Sequence, residues 1–262
     1  MYTVTTYPPG TFCWADLTST DAKAATTFYK DLMGWESTDL PMGEGRVYTM
    51  FSCDGHETAA LSQATEEGMP SFWTSYIDVD DVDALVDRVK ELGGTLMHEP
   101  FDVFDNGRMM VITDPSGGTV ALWQAKERIG AGLVNTAGAM SWNELATRDV
   151  EAAMTFFSGL LGWTFDKQDG MDYWVIKNKG RSNGGILKMT EDWGEMPPHW
   201  MVYFSINELD AALEKVKELG GNVPMGIIES DTMRFAVVAD PAGAHLTLIE
   251  FDEKTFDTWP QG

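Results

Sequence analysis

The chain has 262 residues, 44% of them hydrophobic, which is enough apolar material for two ordinary cores and argues against disorder. Its 18 basic and 41 acidic residues leave a net charge of -23, a field that repels phosphate backbones and anionic lipid, so neither nucleic acid nor a membrane surface is expected as a partner. No run of about 18 apolar residues and no signal-like start occurs, and Cys13 and Cys53 have no CxxC spacing, so a reducing, cytoplasmic location is expected.

In chain order, the first predicted element is a strand in which Phe12, Trp14, Asp16 and Thr18 alternate with Cys13, Ala15 and Leu17. Both faces are usable, as in a barrel or a cupped sheet. Asp21 then opens a helix whose Ala24, Ala25, Phe28 and Leu32 fall at 3.6 spacing, and Gly34 ends it as a C-terminal cap. Strand-like runs follow at 46–52 and 72–79. A second helix places Val82, Leu85, Val86, Val89 and Leu92 on one face and ends at Gly93 and Gly94. Strands at 108–113 and 119–124 are joined by the turn DPSG, with proline at its second position and glycine at its fourth.

The same order then returns. Residues 14–35 and 142–163 align without a gap, with 10 identities in 22 positions. Phe28 recurs as Phe156, VKELGG at 89 recurs at 216, and DPSG at 114 recurs as DPAG at 240, offsets of 128, 127 and 126. The chain is therefore a tandem duplication: a first domain at 1–126, a glycine-rich linker at 127–138 and a second domain at 139–262. The second copy has strand runs at 173–178, 199–206, 234–239 and 245–250, and Asn207 is the expected N-cap of its last helix. A weaker repeat inside each half makes four copies of one strand, helix, three-strand unit.

A strand, a helix reading FYxxLxGW, three strands, a second helix and a hairpin closed by DPxG resemble the vicinal oxygen chelate superfamily of glyoxalases, bleomycin-resistance proteins and extradiol dioxygenases. The pattern is closest to the two-domain glyoxalase-like proteins of actinobacteria. The resemblance implies an α+β fold in which each half pairs two βαβββ units into a cupped mixed sheet with helices outside, in a monomer or a homodimer. It also implies a divalent metal in the cup, held by His, Glu or Gln on the first and mid-domain strands and Glu on the last. Carried over, those positions fall on Trp14, Thr74 and Ala121, and on Trp142, Met201 and Thr247. Threonine hydroxyls aside, none is a normal hard-metal ligand, so no cofactor and no metal at the family position are expected.

If those positions face the cup, so do their neighbours two residues along, which places Phe12, Trp14 and Asp16 in one cup and Met140, Trp142, Glu144, Tyr203 and His245 in the other. Indoles and a phenol offer flat apolar surface, and a buried carboxyl group there orients a ligand or exchanges a proton near neutral pH. Glu144 and His245 are the expected acid–base pair, with Asp16 as the counterpart acid. Trp14, Trp142, Tyr203 and Phe12 are expected to contact the ligand. Arg108 and Arg234, equivalent in the two halves, either meet an anionic group or pair with an acid. The expected function is metal-free binding of a small planar or hydrophobic organic molecule. One alternative is a lyase, isomerase or oxygenase with a rearranged metal or acid–base site. The other is a structural or interaction protein whose cups are plugged by tryptophan.

Overall fold

The computed structural model of the protein describes residues 2–230 and 233–251; residues 252–262, the end of the second predicted domain, lie outside the described residues. The first half contributes β1 (Phe12–Ser19), α1 (Ala22–Met33), β2 (Glu36–Pro41), β3 (Val47–Cys53), β4 (His56–Gln63), β5 (Phe72–Asp78), α2 (Val86–Glu91), β6 (Thr95–Val103), β7 (Gly107–Thr113) and β8 (Thr119–Ala125). The second contributes β9 (Met140–Thr147), α3 (Val150–Leu161), β10 (Thr164–Lys167), β11 (Tyr173–Asn178), β12 (Arg181–Lys188), β13 (His199–Ser205), α4 (Leu209–Glu218), β14 (Ile228–Glu229), β15 (Met233–Ala239) and β16 (His245–Phe251).

Each half builds its own mixed sheet. The first runs β2-β3-β4-β1-β5-β8-β7-β6, and the second repeats the order as β10-β11-β12-β9-β13-β16-β15-β14. In each, the first strands of the two units, β1 with β5 and β9 with β13, pair antiparallel at the centre. The expected linker is partly ordered into the second sheet, since Leu133–Val134 pairs with Tyr2–Thr3 and with Met140. Among the described residues, no helix is long and apolar enough to cross a membrane.

The helix ends follow their sequence signals. Asp21 and Asp149 each accept a hydrogen bond at 3.0 Å from the backbone N–H three residues on, and Gly34 and Gly162 close α1 and α3 at a φ of 71° that a side chain would strain. The last helix departs from expectation: α4 begins after Glu208, not Asn207, and Glu208 makes no side-chain capping bond.

The helices lie outside the cups, and α1 and α3 each turn one side to water and the other to the interior. Their apolar sides, Phe28 and Tyr29 on one and Phe156 and Phe157 on the other, join Trp35, Trp73, Trp163, Trp200 and Phe204 in one core shared by both halves. The tryptophan after each helix reaches across: Trp35 Nε1 donates to the Gly138 carbonyl at 2.7 Å and Trp163 Nε1 to the Gly10 carbonyl at 2.8 Å. Burying such side chains contributes about 1.5–3 kcal/mol each, so the halves stabilise one another.

Each first strand carries a bulge, between Phe12 and Trp14 and between Met140 and Trp142. An extra residue reverses the alternation. Phe12 consequently points into the shared core, 5.7 Å from the Trp163 ring and 5.1 Å from the Trp200 ring, and Met140 is buried in that core as well. This corrects the expectation that both face the cups.

One internal inequality bears on stability. The Tyr29 hydroxyl accepts from Trp73 Nε1 at 3.1 Å and donates to Asp240 Oδ2 at 3.2 Å, bridging the halves. The equivalent position holds Phe157, and there Trp200 Nε1 and Asp114 Oδ2 are buried with no protein partner. Both lie beside Gly118, where a Cβ would sit 3.3 Å and 2.6 Å from them. Phe157→Tyr is predicted to supply the missing hydroxyl and raise stability by about 1 kcal/mol in equilibrium urea unfolding. No gain, or a loss from overpacking, would show that the two sites are not equivalent.

Candidate functional site

The bulge turns Trp14 and Asp16 into the first cup. Across the central pair, Trp14 lies opposite Tyr76 and Asp16 opposite Thr74. The Trp14 indole donates to the Tyr48 hydroxyl at 3.3 Å, Tyr48 donates to Asp16 Oδ2 at 3.1 Å, and Tyr76 donates to the same oxygen at 2.8 Å. An indole N–H can only donate, which fixes the direction of the chain. Both phenols thus converge on one oxygen, Oδ2, of an acid that lines the cavity. Burial pushes the Asp16 carboxyl up to about 6, with the two phenols lowering it in part.

The second cup repeats the arrangement. Trp142 Nε1 donates to the Tyr173 hydroxyl at 2.9 Å, and Tyr203 and Tyr173 donate to Glu144, whose carboxyl burial also raises. Burial and the adjacent acid raise all four phenols well above their ordinary value, so they remain donors at neutral pH. The longer acid has the smaller neighbour. Glu144 pairs with Gly185 where Asp16 pairs with Ala60, and a Cβ on Gly185 would overlap the Tyr173 hydroxyl.

Both cups open onto one cavity of about 2560 Å³. All ten exposed large hydrophobic side chains of the described residues, Phe72, Phe101, Phe104, Met171 and Ile228 among them, border it. An apolar collar of this kind marks a binding surface more often than it marks chance exposure.

The structure brings Glu144, Trp142, Tyr203 and His245 to this cavity, and Asp16 likewise. Trp14 is only 9% exposed and lies beneath Tyr48, off the lining. His245 stands exposed at the mouth, opposite Ala239, and Glu144's hydrogen-bond partners are the two phenols, not the imidazole. The arginines take the second of their two expected roles and pair with acids. Arg108 holds Asp83 with two bonds of 2.6 and 2.8 Å, and Arg234 pairs with Asp210 at 2.8 Å and Glu250 at 3.0 Å. Strand parity explains this, because the next residues, Met109 and Phe235, line the cavity and so turn the arginines to the helix side of the sheet.

Tyr48, Tyr76 and Tyr173 were not expected in the site. The repeat held the signal: Tyr76 and Tyr203 occupy the same place in SFWTSYIDV and HWMVYFSI, as Tyr48 and Tyr173 do in the preceding strand pair.

A hard divalent ion does not fit these residues. Each network holds a single carboxyl group among phenols and an indole. Among the described residues no group of three His, Cys, Asp or Glu lies close enough to hold a metal.

Comparison with known proteins agrees with the fold. The model of the Glyoxalase/Bleomycin resistance protein/Dioxygenase superfamily matches residues 11–122, and a Glyoxalase-like domain model matches residues 143–249. "Putative glyoxylase CFP32" of Mycobacterium tuberculosis is 41% identical over 252 residues, 93% of this chain and 96% of that protein. "Anthracycline biosynthesis protein DauV" of Streptomyces sp. is 34% identical over 268 residues, covering 95% and 96%. Among solved structures, the Mn(II)-bound glyoxalase from Novosphingobium aromaticivorans superposes with a TM-score of 0.66 at 17% identity, over 99% of this chain and 87% of that one, a likeness of fold alone.

The raised Asp16 carboxyl makes a pH prediction. Its folded value lies above the ordinary 3.8, so its contribution to stability is full below that value and is lost as pH rises through about 6. The charged and titrating groups acting on it are Tyr48, Tyr76 and, through Tyr48, Arg128. Asp16→Asn cannot ionise, so its stability relative to the unmodified chain should improve by about 2.4 kcal/mol between about pH 4 and pH 7. Urea melts across that range check it, and a difference that stays flat would mean that Asp16 is not desolvated.

Proposed function

The chain belongs to the Glyoxalase/Bleomycin resistance protein/Dioxygenase superfamily, and from that premise we propose that it binds a small, flat, hydrophobic organic molecule without the metal of its fold relatives. The observation that carries this reading is the repeated chain of indole, phenol, carboxyl and phenol opening onto an apolar-rimmed cavity. The second cup is the better seat. Its tryptophan lines the cavity, and Tyr203 and Phe235 form a further wall with ring centroids 6.1 Å apart. A planar ring stacks on Trp142, and its polar edge meets Glu144. The relative named for anthracycline biosynthesis supports a fused aromatic ring as the ligand's core. In this reading the protein works in the cytoplasm, in keeping with its free Cys13 and Cys53.

The raised Glu144 carboxyl favours a second reading, a lyase or isomerase. A carboxyl group that changes protonation nearer neutral pH can give a proton to a ligand oxygen or take one from carbon, while Tyr173 and Tyr203 donate hydrogen bonds to developing negative charge. A cavity of this size argues against the plugged-cup alternative.

Quenching of tryptophan fluorescence by a flat apolar probe such as anthracenemethanol tests the binding reading. The protein should saturate, and Trp142→Ala should weaken binding by about tenfold or more, equivalent to roughly 1.4 kcal/mol. Absence of saturable quenching, or full affinity in the variant, rules the second cup out. If the site is catalytic, Glu144→Gln lowers turnover by about a hundredfold, whereas in a pure binder it changes affinity alone.

A further inference from the structure

We infer that the second cup selects a flat aromatic molecule that carries a protonated amine, with the ammonium seated against Glu144 among Trp142, Tyr173, Tyr203 and Phe235. This rests on the aromatic-binding reading above and adds the ligand's charge.

The cavity's charge is lopsided. Among the described residues, Asp16, Glu66, Glu144, Asp172, Asp192 and Glu229 line it, against a single guanidinium, Arg46, no lysine and the three imidazoles of His98, His199 and His245. Arg46 lies at the exposed rim and is paired with Glu44 at 3.4 Å. The two arginines nearest in sequence to the cup walls, Arg108 and Arg234, are held on the other side of the sheets by their own acids. An anionic ligand in the second cup would meet the Glu144 carboxyl group and ring faces, with no lysine or arginine of the described residues beside them.

A cation meets the reverse. Aromatic faces are negative at their centres and attract an ammonium within about 6 Å, more strongly where water is excluded. Glu144 has hydrogen-bond donors but no cationic partner: its neighbours are the Tyr203 and Tyr173 hydroxyls, and it takes part in none of the ion pairs among the described residues. A ligand ammonium supplies the counter-ion that the chain itself withholds. The apolar collar then covers the rings behind it.

The test uses the whole protein and three probes built on one ring system: anthracenylmethylamine as the ammonium, anthracenemethanol as the neutral alcohol and anthracenecarboxylate as the anion. Each is titrated by tryptophan quenching at low ionic strength and again in about 1 M salt, where surface charges are screened beyond about 3 Å. The ammonium should bind at least about tenfold more tightly than the alcohol and the carboxylate most weakly, with the order kept in high salt. Glu144→Gln should bring the ammonium down to the alcohol's affinity, and Glu144→Asp should retain the preference.

An alcohol that binds as tightly as the ammonium overturns the inference and leaves aromatic binding standing. A preference that vanishes in high salt, or survives in Glu144→Gln, assigns it to the surface field and overturns the inference too. If none of the three probes quenches, the aromatic-binding reading falls and takes this one with it.

Discussion

A carboxyl group taken out of water needs a counter-ion or enough hydrogen bonds to replace its hydration, and each cup of this protein supplies only hydrogen bonds. Two phenols converge on Asp16 and two on Glu144, and an indole N–H behind each pair forces one phenol to donate forward. The result is an acid that stays protonated to higher pH than usual. Such a network is costly to leave half satisfied, which explains why the four parts appear together in both halves.

The network stands where it does because the core behind it is shared. The bulge in each first strand sends Phe12 or Met140 backward, into the layer where α1 and α3 meet, and sends the tryptophan and the acid forward into the cup. Trp35 and Trp163 cross between halves in the same layer. The duplicated units have since diverged in matched steps. Glu144 with Gly185 replaces Asp16 with Ala60, keeping an acid of either length under its phenols. Phe157 in place of Tyr29 is an unmatched step, and it leaves buried polar atoms unpaired.

Most of the fold was legible in the residues. The 126–128 offset, the caps of α1 and α3 and the DPxG hairpins each follow from local rules, and the structure has them, while the cap expected at Asn207 is not formed. Half of the site was legible too, because Trp14, Asp16, Trp142 and Glu144 share a face by strand parity. Parity failed at Phe12 and Met140, where a bulge adds a residue without an unusual side chain to announce it. It would have succeeded at Arg108 and Arg234 had the count begun at Met109 and Phe235. The phenols escaped notice because Tyr48 and Tyr173 come from strands whose cup-facing residues no motif marks. Only the sheet order β3-β4-β1-β5 brings Tyr48 and Tyr76 to the same acid from opposite sides.

The central proposal is that these cups, each with one acid among phenols, bind their ligand without a divalent metal. Elemental analysis of freshly purified protein, followed by exhaustive dialysis against a chelator, tests it most directly. The account predicts divalent metal well below one ion per chain before dialysis, and no change in tryptophan fluorescence or unfolding midpoint after it. A stoichiometric ion whose removal shifts either signal would contradict it.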